Sequence, residues 1–459
     1  MIDVRKRYHF VGIAGAGMSG LAAVMLAGGS SVSGSDLREN AQTEFLQRAG
    51  AAIHIGHDPS VVDRGVDEVI VSSAITPQNV EIEAARRLNL PVVHRLHALA
   101  SVIDGYTSIG VAGTHGKTTT TAMAATILRN TGRDPSYLVG AHCPGLGGNS
   151  HLGSGEVFVT EVDESDGLFL AIHPTIAVLN NIGRDHLGTY HTLDRIRESF
   201  KSYIQQADRA VLAIDDANVR ELASHHPSAL KVGSHPDADL RAVNISHYHF
   251  HTTFDLRYRG EDVAHVFLPA PGDHNVRNAL CAIGAANLAG VPLADAAEAI
   301  ADFQLPKRRF QLLEENGVTV VDDYAHLPEE IEVTLQAIRS GWTDRRIVAV
   351  FQPHRYSRTQ AIGNEFGAAF RLADTVVVTP IYAAYEAPIP GVTSQSIVDS
   401  ISRNTGSDPL LIHDKEEVLS FLKRYIEPGD FIISFGAGDI WTVTTSLSRF
   451  LEEGSFCTA

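Results

Sequence analysis

Short runs of apolar and β-branched residues alternate with stretches of helical periodicity from the start of the chain. HFVGIAG, EVIVSSA and PVVHR read as strands and NVEIEAARRLN as a crossover helix. Short strands without an outward polar face belong to a parallel sheet covered by helices on both sides, so residues 1–105 are expected to form one α/β domain. The pattern restarts after Asp104 and Gly105, where TSIGVAG feeds a glycine turn and then TTTTAMAATILRN, a strand, loop and helix in order. VFVTEVDE, TIAVLNNI and RAVLAID continue that sheet. Between about residues 229 and 270 the apolar and polar positions alternate, which predicts antiparallel strands; HNVRNALCAIGAANLAG and LADAAEAIADF then close a second domain, 106–305. A third, 306–459, follows from VTVVDDYA, RIVAVFQ, TVVVTPI, PLLIH and DFIISFG, with EEVLSFLKRYI as a helix among them. Three α/β domains in 459 residues agree with about 150 residues per domain.

Composition narrows the function. Hydrophobic residues make up 44% and charged residues 20%, ordinary globular values that fit neither a disordered polymer nor a membrane bundle. Acidic residues outnumber basic ones by 54 to 37, for a formal charge of −17. Such a chain repels nucleic-acid backbones at long range, so an anionic ligand must be held by local sites. Cys143, Cys281 and Cys457 are widely spaced and form no CxxC pair, which suggests neither a disulfide framework nor a cysteine zinc site. With no secretory pattern at the start and no apolar run of about 18 residues, a cytoplasmic protein without membrane contact is expected.

Two glycine loops carry the first chemical signals. Gly15, Gly17 and Gly20 spell G-x-G-x-x-G after a strand, with Ala16, Met18 and Ser19 between them, and Asp36 ends the next strand where a ribose-binding acid would sit. A dinucleotide, another diphosphate such as that of a nucleotide sugar, or a plain turn all fit this pattern. The second loop, Gly113, Thr114, His115, Gly116, Lys117, Thr118 and Thr119, lies between a strand and a helix and resembles a phosphate loop, although Val111 stands where the first glycine of the consensus would be. Nucleoside triphosphate binding is expected, with Lys117 balancing the β and γ phosphates. The fold class is therefore three serial α/β domains: Rossmann-like at the N-terminus, P-loop ATPase-like with a small antiparallel sheet in the centre, and Rossmann-like at the C-terminus.

Downstream, Glu161, Asp163, Glu164 and Asp166 gather at a strand's C-terminal end, where hard oxygen ligands for magnesium or a solvated acidic loop would both be reasonable. Asp185 and His186 follow another buried strand. In the third domain, VVDDYAH brings Asp322, Asp323, Tyr324 and His326 to a strand end, and FQPHRYSRT does so for His354, Arg355 and Arg358. The arginines suit a carboxylate or phosphate as well as surface ion pairs. His247, His249 and His251 alternate along a strand, but no acid or cysteine completes a metal set there.

A diphosphate cradle, a triphosphate loop and cationic strand ends in series describe an ATP-driven ligase better than a dehydrogenase or a motor ATPase. At this point the chain resembles the Mur ligases. The resemblance runs over essentially its whole length, through HFVGIAGAGMSG, SSAIT, GVAGTHGKTTTTAM, VTEVDESDG, NNIGRDHLGTY, GDHNVRNAL, VVDDYAH, FQPHRYSRT and SFGAGDI. It implies an enzyme of peptidoglycan precursor synthesis that uses ATP and Mg2+ to join L-alanine to the lactyl carboxylate of UDP-N-acetylmuramate through an acyl phosphate. On that resemblance the first domain, with Gly15 to Gly20, Ser72 and Ser73, would hold the UDP-sugar. Lys117 would contact the ATP phosphates, Thr118 and Glu161 would ligate one magnesium and His186 a second. His274, Asn275 and Asn278 would lie on the adenine side, with Asp323, Tyr324 and His326 completing the site. Arg355 and Arg358 would steady the acyl phosphate and the amino-acid carboxylate. The enzyme would be a monomer or homodimer. Leu327 stands where the family pattern carries a second histidine and Tyr385 where it carries glycine, which bears on the amino acid accepted. Lys201, 15 residues after His186, has the spacing of a carbamoylated lysine in other members. A related ligase using another amino acid or a recycled peptide, and an inactive UDP-sugar-binding paralogue, are the alternatives.

Overall fold

The computed structural model describes residues 3–315 and 317–453. Each of the three segments builds its own sheet. The first has five strands in the order Ala52–Ile55, Ser31–Asp36, Arg7–Val11, Glu68–Val71, Val92–His94, all parallel. The last has six, ordered Gln311–Glu315, Thr319–Asp323, Phe431–Phe435, Ile347–Phe351, Thr375–Val378, Leu410–Leu411, and only the first of these runs antiparallel to its neighbour. Central strands such as IVAVF and FIISF are buried at every position, as strands covered on both faces must be.

The middle segment departs from expectation. The strands from 240 to 268 do not form a separate small sheet. They extend the parallel one into a single ten-stranded sheet, ordered Glu261–Leu268, His251–Tyr258, Leu240–Tyr248, Leu230–Gly233, Arg209–Ala213, Ile176–Leu179, Thr107–Ala112, Val157–Glu161, Ser136–Cys143, Gly148–His151. Leu240–Tyr248 pairs parallel with Leu230–Gly233, which joins the two parts. At the other edge the hairpin Ser136–Cys143 and Gly148–His151 had no clear sequence signal.

The chain divides into two compact units. The first comprises the residues up to 245, 253–268 and 275–304, and so unites the first sheet with most of the second. Gly20 shows why they pack: a Cβ there would lie 3.0 Å from Leu138 Cδ2 and 3.4 Å from Asn149 Nδ2, so the helix Ala16–Ala27 rests closely on the edge hairpin. Side-chain links add to this. Arg95 Nη2 donates to Asp163 Oδ2 at 2.9 Å, and Ser73 Oγ donates to Asp166 Oδ2 at 2.8 Å. The second unit comprises 246–252, 269–274 and the residues from 305 onward. In it Phe250 meets Trp342 edge-on and His249 stacks on the same indole, with centroids 4.8 and 5.3 Å apart. His247 contacts Thr252 and Asp273, and His251 stacks on Tyr248, so the three alternating histidines have separate structural partners.

Several helices open on a capping side chain, as those after Asn79, Thr192, Asp216 and Asp414 do. The helices Ala16–Ala27 and Lys117–Asn130 instead begin at Gly15 and Gly116 with no side-chain cap, the arrangement that leaves first-turn amides for an anion. Cys143 and Cys281 are buried and unbridged, and burial pushes both thiols up to about 12; Cys457 lies outside the described residues. Among the described residues no helix is long and apolar enough to cross a membrane.

Candidate active site

The phosphate-type loop is built by its neighbours as well as its glycines. Gly113 and Gly116 have φ of 131° and 79°, values that L side chains rarely adopt. A Cβ on Gly116 would overlap Asn278 Oδ1 and approach Asn180 Nδ2 to 3.0 Å. Asn181 clamps the loop from the next strand: its Oδ1 accepts from His115 N at 2.8 Å and its Nδ2 donates to His115 O at 3.0 Å. Asn180 Nδ2 reaches His115 O and Thr120 Oγ1, and Thr114 Oγ1 accepts from Gly183 N. Asn180 and Asn181 were absent from the residues expected at the site. Asn278 is buried and donates to Asn275, so of that motif's two asparagines Asn278 meets the loop at Gly116 and Asn275 is bonded to Asn278.

Lys117 is held inside this frame. Its Nζ donates to Gly113 O at 2.7 Å, Thr114 O at 3.3 Å and both oxygens of Glu164 at 3.0 and 2.9 Å. Burial opposes its charge, yet Glu164, Asp163 and Glu161 outweigh that and raise its pKa. Burial also raises Glu164, with Lys117 pulling the other way. Sequence placed Glu164 among four acids without singling it out. At the next residue, Thr118 Oγ1 donates to Glu161 Oε2 at 2.8 Å. Glu161 fills a slot only glycine leaves open, since a Cβ on Gly140 would overlap its Oε1. A hydroxyl and a carboxylate side by side at the foot of a phosphate loop are the hard oxygen donors a magnesium ion takes, so these two residues fit that ion.

His186 sits on the Glu164 side, its Nε2 3.3 Å from Asp185 Oδ2 and 3.8 Å from Glu164 Oε1, in a left-handed conformation with φ of 54°. Expected to serve a second ion apart from the Thr118 and Glu161 pair, it lies beside the carboxylates of Asp185 and Glu164. Among the described residues no group of three or more His, Cys, Asp or Glu side chains forms a metal set. Lys201 pairs loosely with Glu198 on its own helix at 3.8 Å.

In the first domain the glycine loop divides. Gly15, Ala16 and Gly17 are exposed, whereas Met18, Ser19 and Gly20 are buried; Met18 is a core side chain and Ser19 Oγ bonds Ala16 O. That departs from the expectation that all six face a ligand: Met18, Ser19 and Gly20 already lie within the helix Ala16–Ala27, where they are packed into the core. Asp36 Oδ2 accepts from Ala14 N at 2.9 Å, so it shapes the loop. Ser72 is half-buried, and Ser73 Oγ contacts His94 Nε2 at 3.0 Å besides Asp166.

The second unit gathers its own polar cluster. His354 stacks on Tyr382 and lies 3.1 Å from Arg358 Nη1 through Nδ1. Burial, then His326, Arg358 and Arg355, push it down to about 3. His326 meets His354 edge-on at 5.8 Å, and its backbone N–H donates to Glu330. Arg355, exposed and at φ 72°, caps the next helix. The ring of Tyr324 lies beneath the Arg308 and Arg309 guanidinium groups. Asp323 departs from its expected nucleotide-facing role: it is buried, with Oδ2 taken by Phe310 N and Oδ1 by Ala325 N, both at 2.7 Å. Burial raises it to about 6. Leu327 is buried, and Tyr385 is 98% exposed at φ 70°. His274 lies beside Gly272 at a helix start.

The chain matches the Mur ligase family, catalytic domain, over residues 7–107, the Mur ligase middle domain over 111–286 and the Mur ligase, glutamate ligase domain over 308–438. It belongs to the Mur ligase family and is an ATP-dependent ligase. Proteins named UDP-N-acetylmuramate–L-alanine ligase from Pelotomaculum thermopropionicum and Pelobacter propionicus are 40% and 42% identical to it, each alignment covering 98% of this chain and 99% of the relative. The crystal structure of a UDP-N-acetylmuramate-alanine ligase from Thermotoga maritima superposes with a TM-score of 0.83 at 30% identity, covering 98% of this chain and 99% of that one.

Proposed function

We propose that the protein joins L-alanine to the lactyl carboxylate of UDP-N-acetylmuramate at the expense of ATP, in the synthesis of peptidoglycan precursors in the cytoplasm. The observation that carries the reading is the double pairing at the phosphate loop, Lys117 with Glu164 and Thr118 with Glu161. It prepares one cation and one hard oxygen pair where a triphosphate would lie. The names and full-length similarity of the relatives support the choice of substrates.

In this reading Lys117 leaves Glu164 for the γ-phosphate, and the loop amides of Gly116, Lys117 and Thr118 hold the remaining phosphate charge. Thr118 and Glu161 would hold a Mg2+ ion, which when bound withdraws charge from the phosphate oxygens; His186 would serve a second ion. The lactyl carboxylate oxygen attacks the γ-phosphorus, giving an acyl phosphate and ADP. The neutral amine of alanine then attacks the acyl carbon, losing a proton as inorganic phosphate departs and the amide forms. No side chain is needed as a nucleophile; positioning and electrostatics supply the rate. Arg355 and Arg358 would hold the alanine carboxylate, and His354, kept neutral, would leave their charge undiluted. The glycine loop, Ser72 and Ser73 would bind the UDP-sugar.

Leu327 and Tyr385 favour keeping a second reading, a ligase for another amino acid. The test is a coupled ADP-release assay with UDP-N-acetylmuramate, Mg2+ and each of alanine, glycine and serine. Alanine should give the highest kcat/KM. A preference for either of the others would replace the substrate assignment, and no ADP release with any would remove the ligase reading.

A further inference from the structure

The glycine loop offers amide dipoles but no net charge, and Asp36 beside it is an anion, so a diphosphate there needs a cation from elsewhere. The structure supplies Arg95. It is the first residue of the helix Arg95–Ile103, directly after the edge strand Val92–His94. Its Nη1 lies 3.1 Å from where a Cβ on Gly17 would be, and its Cζ 3.6 Å, so the guanidinium lies against the exposed part of the loop and glycine at 17 makes that approach possible. From its other nitrogen, Nη2, it donates to Asp163 Oδ2 at 2.9 Å.

Asp163 has a second attachment, since its Oδ1 accepts from Ser165 N at 3.1 Å, and the same acidic turn is fastened to the first domain through Asp166, Ser73 and His94. The turn therefore stays in place without the Arg95 bond. The pair is half-buried, with the Arg95 side chain 19% and that of Asp163 34% exposed, so solvent reaches both partners. A guanidinium fork is better matched to two phosphate oxygens than to one carboxylate oxygen.

Resting on the ligase reading, we infer that Arg95 is a binding residue for the diphosphate of the UDP-sugar, and that it exchanges Asp163 for that diphosphate when the substrate binds. Asp163 thereby acts as a stand-in anion that keeps the arginine beside Gly17 until the substrate arrives. The exchange makes Asp163 a competitor of the ligand, which gives the two residues effects of opposite sign.

Isothermal titration of UDP-N-acetylmuramate into the full-length protein, without ATP, tests this in four forms: wild type, R95M, D163N and the double variant. R95M should weaken binding by about tenfold or more. D163N should tighten it by roughly threefold, and that gain should vanish when Arg95 is already methionine. A non-hydrolysable ATP analogue should bind R95M and wild type alike, which separates loss of a contact from loss of the fold. Binding by R95M within twofold of wild type, or loss of both ligands together, overturns the inference. An equal gain from D163N in both backgrounds would reduce Asp163 to a distant charge and overturn the exchange. Wild type that fails to bind the UDP-sugar overturns the ligase reading itself and the inference with it.

Discussion

Lys117→Ala separates the two things this lysine does. Its side chain is 16% exposed and that of Glu164 only 3%, so truncation leaves a carboxylate buried without its cation. Breaking a buried pair in that way costs about 3–5 kcal/mol, less whatever Glu164 recovers by taking up a proton. Because burial already raises Glu164 in the intact protein, removing Lys117 raises it further. A carboxyl whose folded pKa lies above its unfolded one is destabilising as pH rises between the two. The variant's deficit should therefore be largest at neutral pH and should shrink on acidification toward the unfolded carboxyl range. Lys117→Ala/Glu164→Gln should regain most of the lost stability at neutral pH, since no charge is then buried alone. Neither variant should recover catalysis, because the charge that meets the transferring phosphoryl group is gone, a loss of at least roughly a hundredfold to a thousandfold in kcat. Urea unfolding at several pH values gives the first quantity, ADP release the second, and titration of UDP-N-acetylmuramate should show its binding retained. Turnover within tenfold of wild type in Lys117→Ala would refute the phosphate role. An equally unstable double variant would refute the buried-pair argument.

Tyr385→Gly should raise unfolding free energy by about 1 kcal/mol, because Tyr385 holds a left-handed φ of 70° with a side chain 98% exposed; a lowered melting temperature would show that the ring is engaged. His354, pushed down to about 3, takes up a proton more readily in the unfolded chain, so it contributes stability at neutral pH that is lost as pH falls through the range below about 6.5. His354→Asn should therefore show a shallower acid decline in denaturation measured from about pH 7 to about pH 4, and an unchanged slope would contradict the shift. Asp36→Ala frees Ala14 N and should weaken the UDP-sugar several-fold by titration while sparing ATP; selective loss of ATP binding would contradict its place at the first loop.

The strand and helix pattern made the three-part α/β architecture legible because buried parallel strands such as IVAVF are short and uninterrupted. The join between the parallel and antiparallel parts of the middle sheet was not legible, since alternation reports which face is buried and not which sheet a strand extends. The phosphate loop stood out because its glycines and lysine are adjacent in sequence. Its clamp, Asn180 and Asn181, lies more than 60 residues away and looks like any polar strand end. Among Glu161, Asp163, Glu164 and Asp166 the types are alike, and only the turn geometry assigns Thr118, Arg95, Lys117 and Ser73 to them in that order. Met18 to Gly20 followed the motif in spelling but face the core, a distinction set by helix phase. The pairing of Arg95 with Asp163 spans 68 residues and leaves no local trace.

The acyl-phosphate route is tested most directly by labelling the lactyl carboxylate of UDP-N-acetylmuramate with heavy oxygen and analysing the inorganic phosphate by mass spectrometry after one turnover with ATP and alanine. Attack of the carboxylate on the γ-phosphorus carries one labelled oxygen into the released phosphate for each amide formed. Amide formation with unlabelled phosphate would contradict it.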